Sequence, residues 1–202
     1  MEPEAELRRE DLAADPLEQF RQWFAGAVEA LEVPEAMALA TAAHDGAPSV
    51  RMVLLKGFDP RGLVFFSHYT SRKGLELVAN PQAALLFHWS PLGRQVRVEG
   101  RVERLPEAES DAYFATRPRE SQIGAWASKQ SASLAAPASL DERIRNVRER
   151  FEGAPVPRPP FWSGFRVVAR SIEFWTRDPA RLHERVLFQR SNGQWERSLL
   201  FP

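Results

Sequence analysis

The chain contains no cysteine, and this absence excludes several kinds of chemistry at once. Disulfide bonds, thiolate nucleophiles and cysteine metal ligands are all unavailable to it. The four histidines, at positions 44, 68, 88 and 183, also lack the close spacing of metal ligands. We therefore expect no metal site. A chain without cysteine is also typical of a cytoplasmic protein.

An excess of charge and long apolar runs are absent too. Lys and Arg together number 27, as do Asp and Glu, so the formal net charge is zero. Such a balance is not typical of proteins that bind nucleic acid through their overall charge. No apolar run approaches the roughly 20 residues of a membrane-spanning helix, and the acidic start MEPEAELRRE lacks the pattern of a signal peptide. The sequence predicts neither a nucleic-acid partner nor a membrane partner.

The first half of the chain predicts a helix followed by strands. The apolar residues of DPLEQFRQWFAGAVEALEV recur at helical spacing, with Asp15 placed to cap the helix and Pro16 in its first turn. Strand patterns follow in AMALATAA, SVRMVLLKGF and LVFFSH, joined by the turn signals HDGAP and DPRG. Connections this short predict an antiparallel meander.

The remaining segments complete an α+β pattern. SRKGLELVANP predicts a short helix capped by Ser71, and AALLFHW with RQVRVEGRVERL predicts a hairpin. Three helical segments lie between residues 106 and 153, and strands return from residue 161 with a turn at SNG. We expect a mobile arm over residues 1–12. Residues 13–202 are then one closed or nearly closed antiparallel β-barrel with flanking helices.

Basic side chains gather near the C-terminus in the segment RLHER. Arg181, His183 and Arg185 occupy alternate positions, so they would share one face of a strand. The preceding RDPA predicts a turn, which makes this strand the second arm of a hairpin. Like charges on one strand face favour an anion or carboxylates opposite them. The alternative is a solvated strand face.

Two further groups have the composition of anion sites. Arg72 and Lys73 occupy the first turn of a predicted helix, where the helix dipole favours negative charge, so a bound phosphate would explain them. Tyr113 and Arg117 are four residues apart, so they would share one helix face, and with Ser121 they can all donate hydrogen bonds to a second phosphate. The alternatives are a mildly unfavourable surface pair in the first case and a tyrosine packed on an arginine stem in the second.

Several segments, taken in order and spacing, resemble one known family. They are RMVLLK, SRK, LLFHW, RQVRVEGRVERL, YFATRPRESQIGAWASKQS, PPFWSGFRV, IEFW and RLHER. From about residue 10 to the C-terminus the chain resembles the pyridoxamine 5′-phosphate oxidase family. Its members are homodimeric split β-barrels with FMN in the dimer cleft. They oxidise pyridoxine or pyridoxamine 5′-phosphate to pyridoxal 5′-phosphate, using O2 and releasing H2O2. The resemblance implies the same fold, cofactor, substrates and self-association here.

The resemblance also assigns roles to individual positions. It implies FMN contacts for Arg51, Met52, Val53, Leu54, Leu55, Lys56, Phe66, Ser67, Arg72, Lys73, Gln95, Gln130, Ser131, Trp175 and Arg185. It implies that the partner subunit supplies Gln130 and Ser131. It implies substrate contacts for Lys56, Tyr113, Arg117, Ser121, Arg181, Leu182 and His183. Arg181 and His183 take the catalytic role, because they are implied to hold the pyridine ring against the flavin. Phe66 stands where the family usually has tyrosine.

Two other functions stay open on the sequence. One is a related flavin oxidase of another ring substrate, as in the phenazine pathway. The segment YFATRPRES speaks against it, because a substrate without phosphate does not need that set. The other is a non-catalytic carrier of FMN or pyridoxal phosphate. The presence of both Arg181 and His183 argues against a carrier.

Overall fold

The computed structural model describes residues 12–202. Its helices are α1 Pro16–Ala30, α2 Arg72–Ala79, α3 Glu107–Thr116, α4 Arg119–Ala127 and α5 Pro137–Arg150. Its strands are β1 Ala36–Ala42, β2 Pro48–Leu54, β3 Gly57–Asp59, β4 Gly62–His68, β5 Gln82–Trp89, β6 Arg94–Arg104, β7 Trp162–Thr176, β8 Glu184–Ser191 and β9 Gln194–Leu199. The expected mobile arm lies outside the described residues except for Leu12, which is buried in the core.

The strands form a single curled antiparallel sheet, which confirms the predicted α+β split barrel with flanking helices. Neighbouring strands follow the order β2-β1-β5-β6-β7-β4-β3, with β8 paired to β7 and β9 paired to β8. The long strand β7 organises this arrangement, because it pairs with β6 along its length, with β4 near its start and with β8 near its end. The two ends of β7 therefore belong to different parts of the barrel.

The predicted meander of the first strands is wrong. β1 pairs with β2 and β3 pairs with β4, but β4 pairs onward with β7, so these two hairpins lie at opposite ends of the strand order. The chain leaves the sheet after Leu54. Leu55 turns its side chain into the core, and its N–H donates to the Glu35 carbonyl at 2.9 Å. Arg51 lies on β2 and Lys56 follows its end, although the pattern SVRMVLLKGF predicts a single strand that contains both.

The local start signals of the first two helices are confirmed. Asp15 Oδ1 accepts the Leu17 N–H at 2.9 Å at the start of α1, with Pro16 in the first turn. Ser71 Oγ accepts the Gly74 N–H at 3.2 Å at the start of α2. The β5–β6 hairpin and the final turn at SNG are also as predicted. These features depend on neighbouring residues only, and for this reason the sequence pattern indicates them directly.

The predicted strand row of basic residues is wrong for two of its three members. β8 begins at Glu184, so Arg181 and His183 lie in the loop after β7, and only Arg185 lies on the strand. Arg181 has a φ of 65°, a left-handed conformation that no strand contains. The physical reason is that the Asp178 side chain accepts two backbone N–H groups of this segment and folds it into a turn.

Two apolar cores hold the sheet and the helices in place. The larger fills the barrel under α1 and includes Phe20, Phe65, Phe87, Trp89 and Phe174. The smaller joins α3, α4 and the end of α5 to the start of β7 through Phe114, Ile123, Ala125, Phe151, Val156 and Trp162. Within residues 12–202, no helix combines the length and the apolar character needed to cross a membrane.

Candidate active site

A cleft of about 660 Å³ is bounded by β4, the start of α2 and the α3–α4 corner. Its volume is in the range of pockets that hold small ligands and cofactors. The predicted site residues that line it are Met52, Val53, Leu54, Lys56, Phe66, Ser67, Lys73, Tyr113, Arg117, Ser121 and Gln130. The structure thus brings together residues from four separate stretches of the chain, most of them polar or positively charged.

Lys73 forms one positive pole of the cleft. Its side chain is 7% exposed, and its Nζ donates to Gln130 Oε1 at 3.0 Å and Ser67 Oγ at 3.2 Å, which are neutral acceptors. Burial, together with the nearby charge of Arg51, lowers the pKa of Lys73 to about 8. An anion at this point would restore a normal environment for the ammonium group. The placement of Lys73 in the first turn of α2 also gives it the helix N-terminus as a neighbour.

Arg51 and Arg72 lie behind this pole and share one buried carboxylate. Glu76 Oε2 lies 3.2 Å from Arg51 Nη2, and Glu76 Oε1 lies 2.9 Å from Arg72 Nε. Burial acts to raise the pKa of Glu76. Hydrogen bonds from Ser49, Thr41, Arg72 and Arg51 outweigh this effect and lower the pKa to about 2. Neither arginine lines the cleft itself. Sequence reasoning missed Glu76, and its only signal was an acidic residue four positions after Arg72.

Arg117 forms a second positive pole of the cleft. It follows the end of α3, so it does not share a helix face with Tyr113 as the spacing had indicated, yet both residues line the cleft with Ser121. The guanidinium lies over the Trp162 ring at 4.9 Å. Burial lowers the pKa of Arg117, and its buried Nη1 has no hydrogen-bond partner within the described part of the chain. A buried donor of this kind requires an acceptor from a ligand or from water.

Stacked aromatic rings also line the cleft. The Phe66 ring lies parallel to Tyr113 at 3.9 Å and to Trp162 at 5.0 Å between centroids. The Phe66 ring is thus packed among aromatic rings, which suits an apolar side chain where the family usually has tyrosine.

His68 is a lining residue that sequence reasoning did not single out. Burial, with Lys73 and Arg117 close by, lowers the pKa of His68 to about 4. The imidazole is therefore neutral at pH 7. Its buried Nδ1 has no hydrogen-bond partner among residues 12–202. A second unpaired polar atom thus borders the same cleft as Arg117.

Six further predicted site residues form a second set near the C-terminal end of β7. Gln95, Trp175 and Arg185 are direct neighbours across β6, β7 and β8. The His183 ring lies 4.5 Å from the Trp175 ring, and Arg181 is exposed in the adjoining loop. We call these five residues, with the exposed Leu182, the second set.

A buried acid that sequence reasoning missed lies beside the second set. Glu173 Oε1 accepts from Arg185 Nε at 2.8 Å, and Glu173 Oε2 accepts from Arg97 Nη1 at 2.9 Å. Glu173 is largely buried, so its ion pair through Oε1 restrains the Arg185 side chain. The alternation of Glu173 and Trp175 along a strand did not distinguish this acid from a surface one.

Within one chain, the second set does not meet the cleft. Trp162 lines the cleft at the start of β7, and Trp175 lies thirteen residues further along the same strand, a path of about 40 Å. None of the second set lines the cleft. Leu55 is in the core, and Ser131 is exposed outside the cleft lining. Gln130 reaches Lys73 of its own chain, whereas the resemblance implies that the partner supplies it.

The described residues also limit what else the site could hold. Among residues 12–202, no group of three or more His, Asp and Glu side chains could hold a metal ion. The donors that converge on the cleft are ammonium, guanidinium, hydroxyl and amide groups. This donor set matches phosphate groups in charge and geometry.

Two family models cover most of the chain. The model described as pyridoxamine 5′-phosphate oxidase matches residues 25–151. The model described as the pyridoxine 5′-phosphate oxidase C-terminal dimerisation region matches residues 162–202. The chain belongs to the pyridoxamine 5′-phosphate oxidase family. The resemblance of its motifs to this family is thereby confirmed.

Named members of the family are similar over almost the whole chain. A pyridoxine/pyridoxamine 5′-phosphate oxidase of Myxococcus xanthus is 52% identical, covering 97% of this chain and 96% of its own length. A protein of the same name from Rubrobacter xylanophilus is 54% identical, and the match covers 98% of this chain and 92% of that protein. The fold is also similar to the crystal structure of PhzG from Burkholderia lata 383 in complex with tetrahydrophenazine-1-carboxylic acid. The TM-score is 0.92 at 31% sequence identity, and the match covers 99% of this chain and 100% of PhzG.

The match to the dimerisation region clarifies the two halves of the site. Residues 162–202 contain the whole second set except Gln95. In this family the segment that carries these residues is thus also the segment named for dimerisation. Self-association is therefore a property that this chain shares with the oxidase family.

Proposed function

We propose that this protein is an FMN-dependent oxidase that converts pyridoxamine 5′-phosphate or pyridoxine 5′-phosphate to pyridoxal 5′-phosphate. O2 is the electron acceptor and H2O2 the second product. The observation that carries the proposal is a cleft with two separate positive poles, Lys73 and Arg117, because the reaction needs one phosphate site for the cofactor and one for the substrate. Relatives at 52–54% identity over nearly the whole chain bear the name of this activity. A cytoplasmic location, expected from the lack of cysteine, is part of the proposal.

The Lys73 pole fits the phosphate of FMN. Its Nζ is buried beside the Ser67 hydroxyl, and the N-terminus of α2 adds backbone N–H groups that favour an anion. Arg51 and Arg72 add positive charge behind it, partly balanced by Glu76. In this assignment the edge residues 52–54 border the isoalloxazine ring, which is the largely apolar part of the cofactor. The chemistry of the donor set therefore suits FMN.

The Arg117 pole fits the phosphate of the substrate. The unpaired Nη1 supplies a charged hydrogen-bond donor, and the Tyr113 and Ser121 hydroxyl groups line the same wall. Lys56 lines the cleft as well and is 3.8 Å from Glu35, a distance at which a phosphate can compete for it. Together these groups would hold a phosphorylated pyridine at a fixed distance from the cofactor.

A second copy of the chain completes the site in this proposal, so that FMN lies at the subunit interface of a homodimer. The second set of the partner copy then faces the cleft, with Gln95, Trp175 and Arg185 on the flavin side. Arg181, Leu182 and His183 border the substrate ring. Ser131 is assigned to the same interface. The separation of the two sets along β7 supports this arrangement, since a single chain leaves each set incomplete.

The protein contributes position and charge to the reaction. When bound, FMN would supply the hydride acceptor for oxidation at the 4′ carbon of the substrate, with O2 as the final electron acceptor. The two phosphate clamps hold the reacting atoms in a near-attack geometry. Arg181 stabilises negative charge that develops on the pyridine oxygen. His183 has an imidazole that can donate a proton at the ring.

The phenazine-type alternative has less support. PhzG is 31% identical to this chain, whereas the oxidases of phosphorylated pyridines are 52–54% identical. A substrate without phosphate would also leave the buried Arg117 donor without an acceptor. We therefore expect a phosphorylated substrate.

The test is an anaerobic titration of the yellow protein with pyridoxine 5′-phosphate while the visible absorbance of the flavin is recorded. We expect bleaching that reverses when air is admitted, with one aldehyde and one H2O2 formed per turnover. Unphosphorylated pyridoxine at the same concentration is the control and should leave the flavin oxidised. Substitution of Arg181 should lower kcat/KM strongly with FMN still bound. A flavin that stays oxidised with the phosphorylated substrate would support a carrier or another substrate instead.

A further inference from the structure

One acidic residue organises the loop that carries Arg181 and His183. Asp178 Oδ1 accepts the Ala180 N–H at 2.7 Å and the Leu182 N–H at 3.2 Å. The Asp178 carbonyl accepts the Arg181 N–H at 3.1 Å, and the Asp178 N–H donates to His183 Nδ1 at 3.1 Å. Hydrogen bonds to this one residue therefore span the whole loop from position 178 to position 183.

The first consequence concerns the backbone at Arg181. Its φ of 65° lies in the left-handed region, which is unfavourable for a residue with a Cβ and persists only when surrounding contacts enforce it. The N–H groups on both sides of Arg181 and its own N–H are all held by Asp178 oxygens, through the contacts at residues 180, 181 and 182. The direction of the Arg181 side chain thus depends on the Asp178 carboxylate.

The second consequence concerns the proton on His183. A nitrogen that accepts a backbone N–H has no proton of its own, so neutral His183 carries its proton on Nε2. The adjacent Trp175 ring, 4.5 Å away, limits rotation of the imidazole. His183 therefore presents Nε2–H, a hydrogen-bond donor, on the side away from the Asp178 backbone.

We propose that Asp178 is a positioning residue of this site, and the inference rests on the proposed function. It holds Arg181 in its left-handed conformation and fixes His183 as the Nε2–H tautomer. Both residues then meet the substrate ring as hydrogen-bond donors, which suits the oxygen of a pyridine alcohol. The role needs an acceptor oxygen at Oδ1 and does not need a negative charge.

The experiment compares Asp178→Ala, Asp178→Asn and a matched control in the FMN-loaded protein. Asparagine keeps the acceptor oxygen and should stay within about twofold of the wild-type kcat/KM, whereas alanine removes it and should lower kcat/KM by at least about fivefold. Asp45→Ala is the control, because Asp45 Oδ1 accepts the Ala47 N–H at 3.0 Å in a similar turn outside the site. It should not change kcat/KM.

A loss of FMN binding or folding would give the same fall in activity, so both are measured. The FMN dissociation constant and the thermal midpoint of Asp178→Ala should match those of Asp45→Ala, since Asp178 lies outside both phosphate poles. Wild-type kcat/KM in Asp178→Ala would overturn the proposal. Equal losses in the alanine and asparagine variants would overturn it too, because they would assign the effect to charge.

A second readout does not depend on turnover. In the ¹⁵N spectrum of the histidine-labelled wild-type protein, the neutral form of His183 should show a bare Nδ1 and a protonated Nε2. Asp178→Ala keeps the backbone N–H but loses the Oδ1 contacts that hold the loop in place, so it should show a mixture of both tautomers. A proton on Nδ1 of neutral wild-type His183 would overturn the inference even if the oxidase activity is found. Absence of oxidase activity in the wild type would overturn the proposed function, and the spectrum would still decide on the tautomer.

Discussion

Replacement of Glu76 by glutamine tests the electrostatics behind the Lys73 pole. Glu76 is 6% exposed and receives hydrogen bonds from Arg51, Arg72, Ser49 and Thr41. Glutamine keeps the shape and one acceptor oxygen, but it removes the charge that both arginines contact. The substitution thus leaves two guanidinium groups without their buried counter-ion.

The magnitude follows from the pKa of Glu76, which is about 2 instead of the ordinary 4.5. Each tenfold change in proton affinity corresponds to about 1.4 kcal/mol, so the charged form stabilises the folded state by about 3 kcal/mol. Because the folded pKa lies below the unfolded one, this stabilisation is complete above about pH 5. It is lost as the pH falls towards 2.

The assay is denaturant unfolding of flavin-free wild type and Glu76→Gln at neutral pH and at several acid pH values. The free energy of unfolding should be about 3 kcal/mol lower in the variant at pH 7, and this difference should shrink steadily as the pH falls below 5. Glu120→Gln is the control. Its ion pair with Arg148 is exposed and should contribute less than about 1 kcal/mol. A Glu76 difference that is independent of pH would refute the reasoning.

Three further predictions concern separate parts of the molecule. Because the pKa of Lys73 is about 8 and a bound phosphate favours its charged form, the affinity for FMN should fall as the pH rises above 8, and Lys73→Arg should abolish this dependence. Arg117→Met should lower kcat/KM for pyridoxine 5′-phosphate by at least about 30-fold while flavin binding is unchanged, as measured by steady-state kinetics. Gly100→Ala should destabilise the fold by more than about 2 kcal/mol, because a Cβ there overlaps the Val168 carbonyl oxygen. Gly26→Ala, where a Cβ meets open space, should not destabilise in the same denaturant assay.

Local signals predicted most of the elements from sequence. The caps at Asp15 and Ser71 each depend on a side chain within three residues of the N–H that it accepts. The pairing of β4 with β7 joins residues such as Phe65 and Phe165, which lie a hundred positions apart, and nothing local indicates it. The meander was therefore the natural reading of short connections, and it was wrong because β4 pairs with a strand from the end of the chain.

The site was predictable in composition but not in arrangement. The residue types at Lys73 and Arg117 already indicated phosphates, and the family motifs assigned their roles. The sequence pattern predicted a strand at Arg181 because the alternation of charges resembles a strand face. The hydrogen bonds that Asp178 accepts extend the turn to Leu182 instead. The buried acid Glu76 has no sequence pattern that separates it from a surface acid, since its burial depends on β1 and β2.

The central claim is that each active site combines the cleft of one chain with the second set of another. Arg117→Ala damages the cleft and Arg181→Ala damages the second set, so each variant alone should be inactive. When the two are unfolded, mixed in equal amounts and refolded, half of the dimers contain one of each, and each of these has one intact site. The account predicts recovery of about one quarter of the wild-type activity.

The control mixes Arg117→Ala with Lys73→Ala. Both residues belong to the cleft, so every site in every mixed dimer stays defective and no activity should return. Recovery to about one quarter in the first mixture and none in the second would establish a site shared between chains. If the Arg117→Ala and Arg181→Ala mixture shows no activity above that of its parents, although mixed dimers have formed, each site is built within one chain and the account is contradicted.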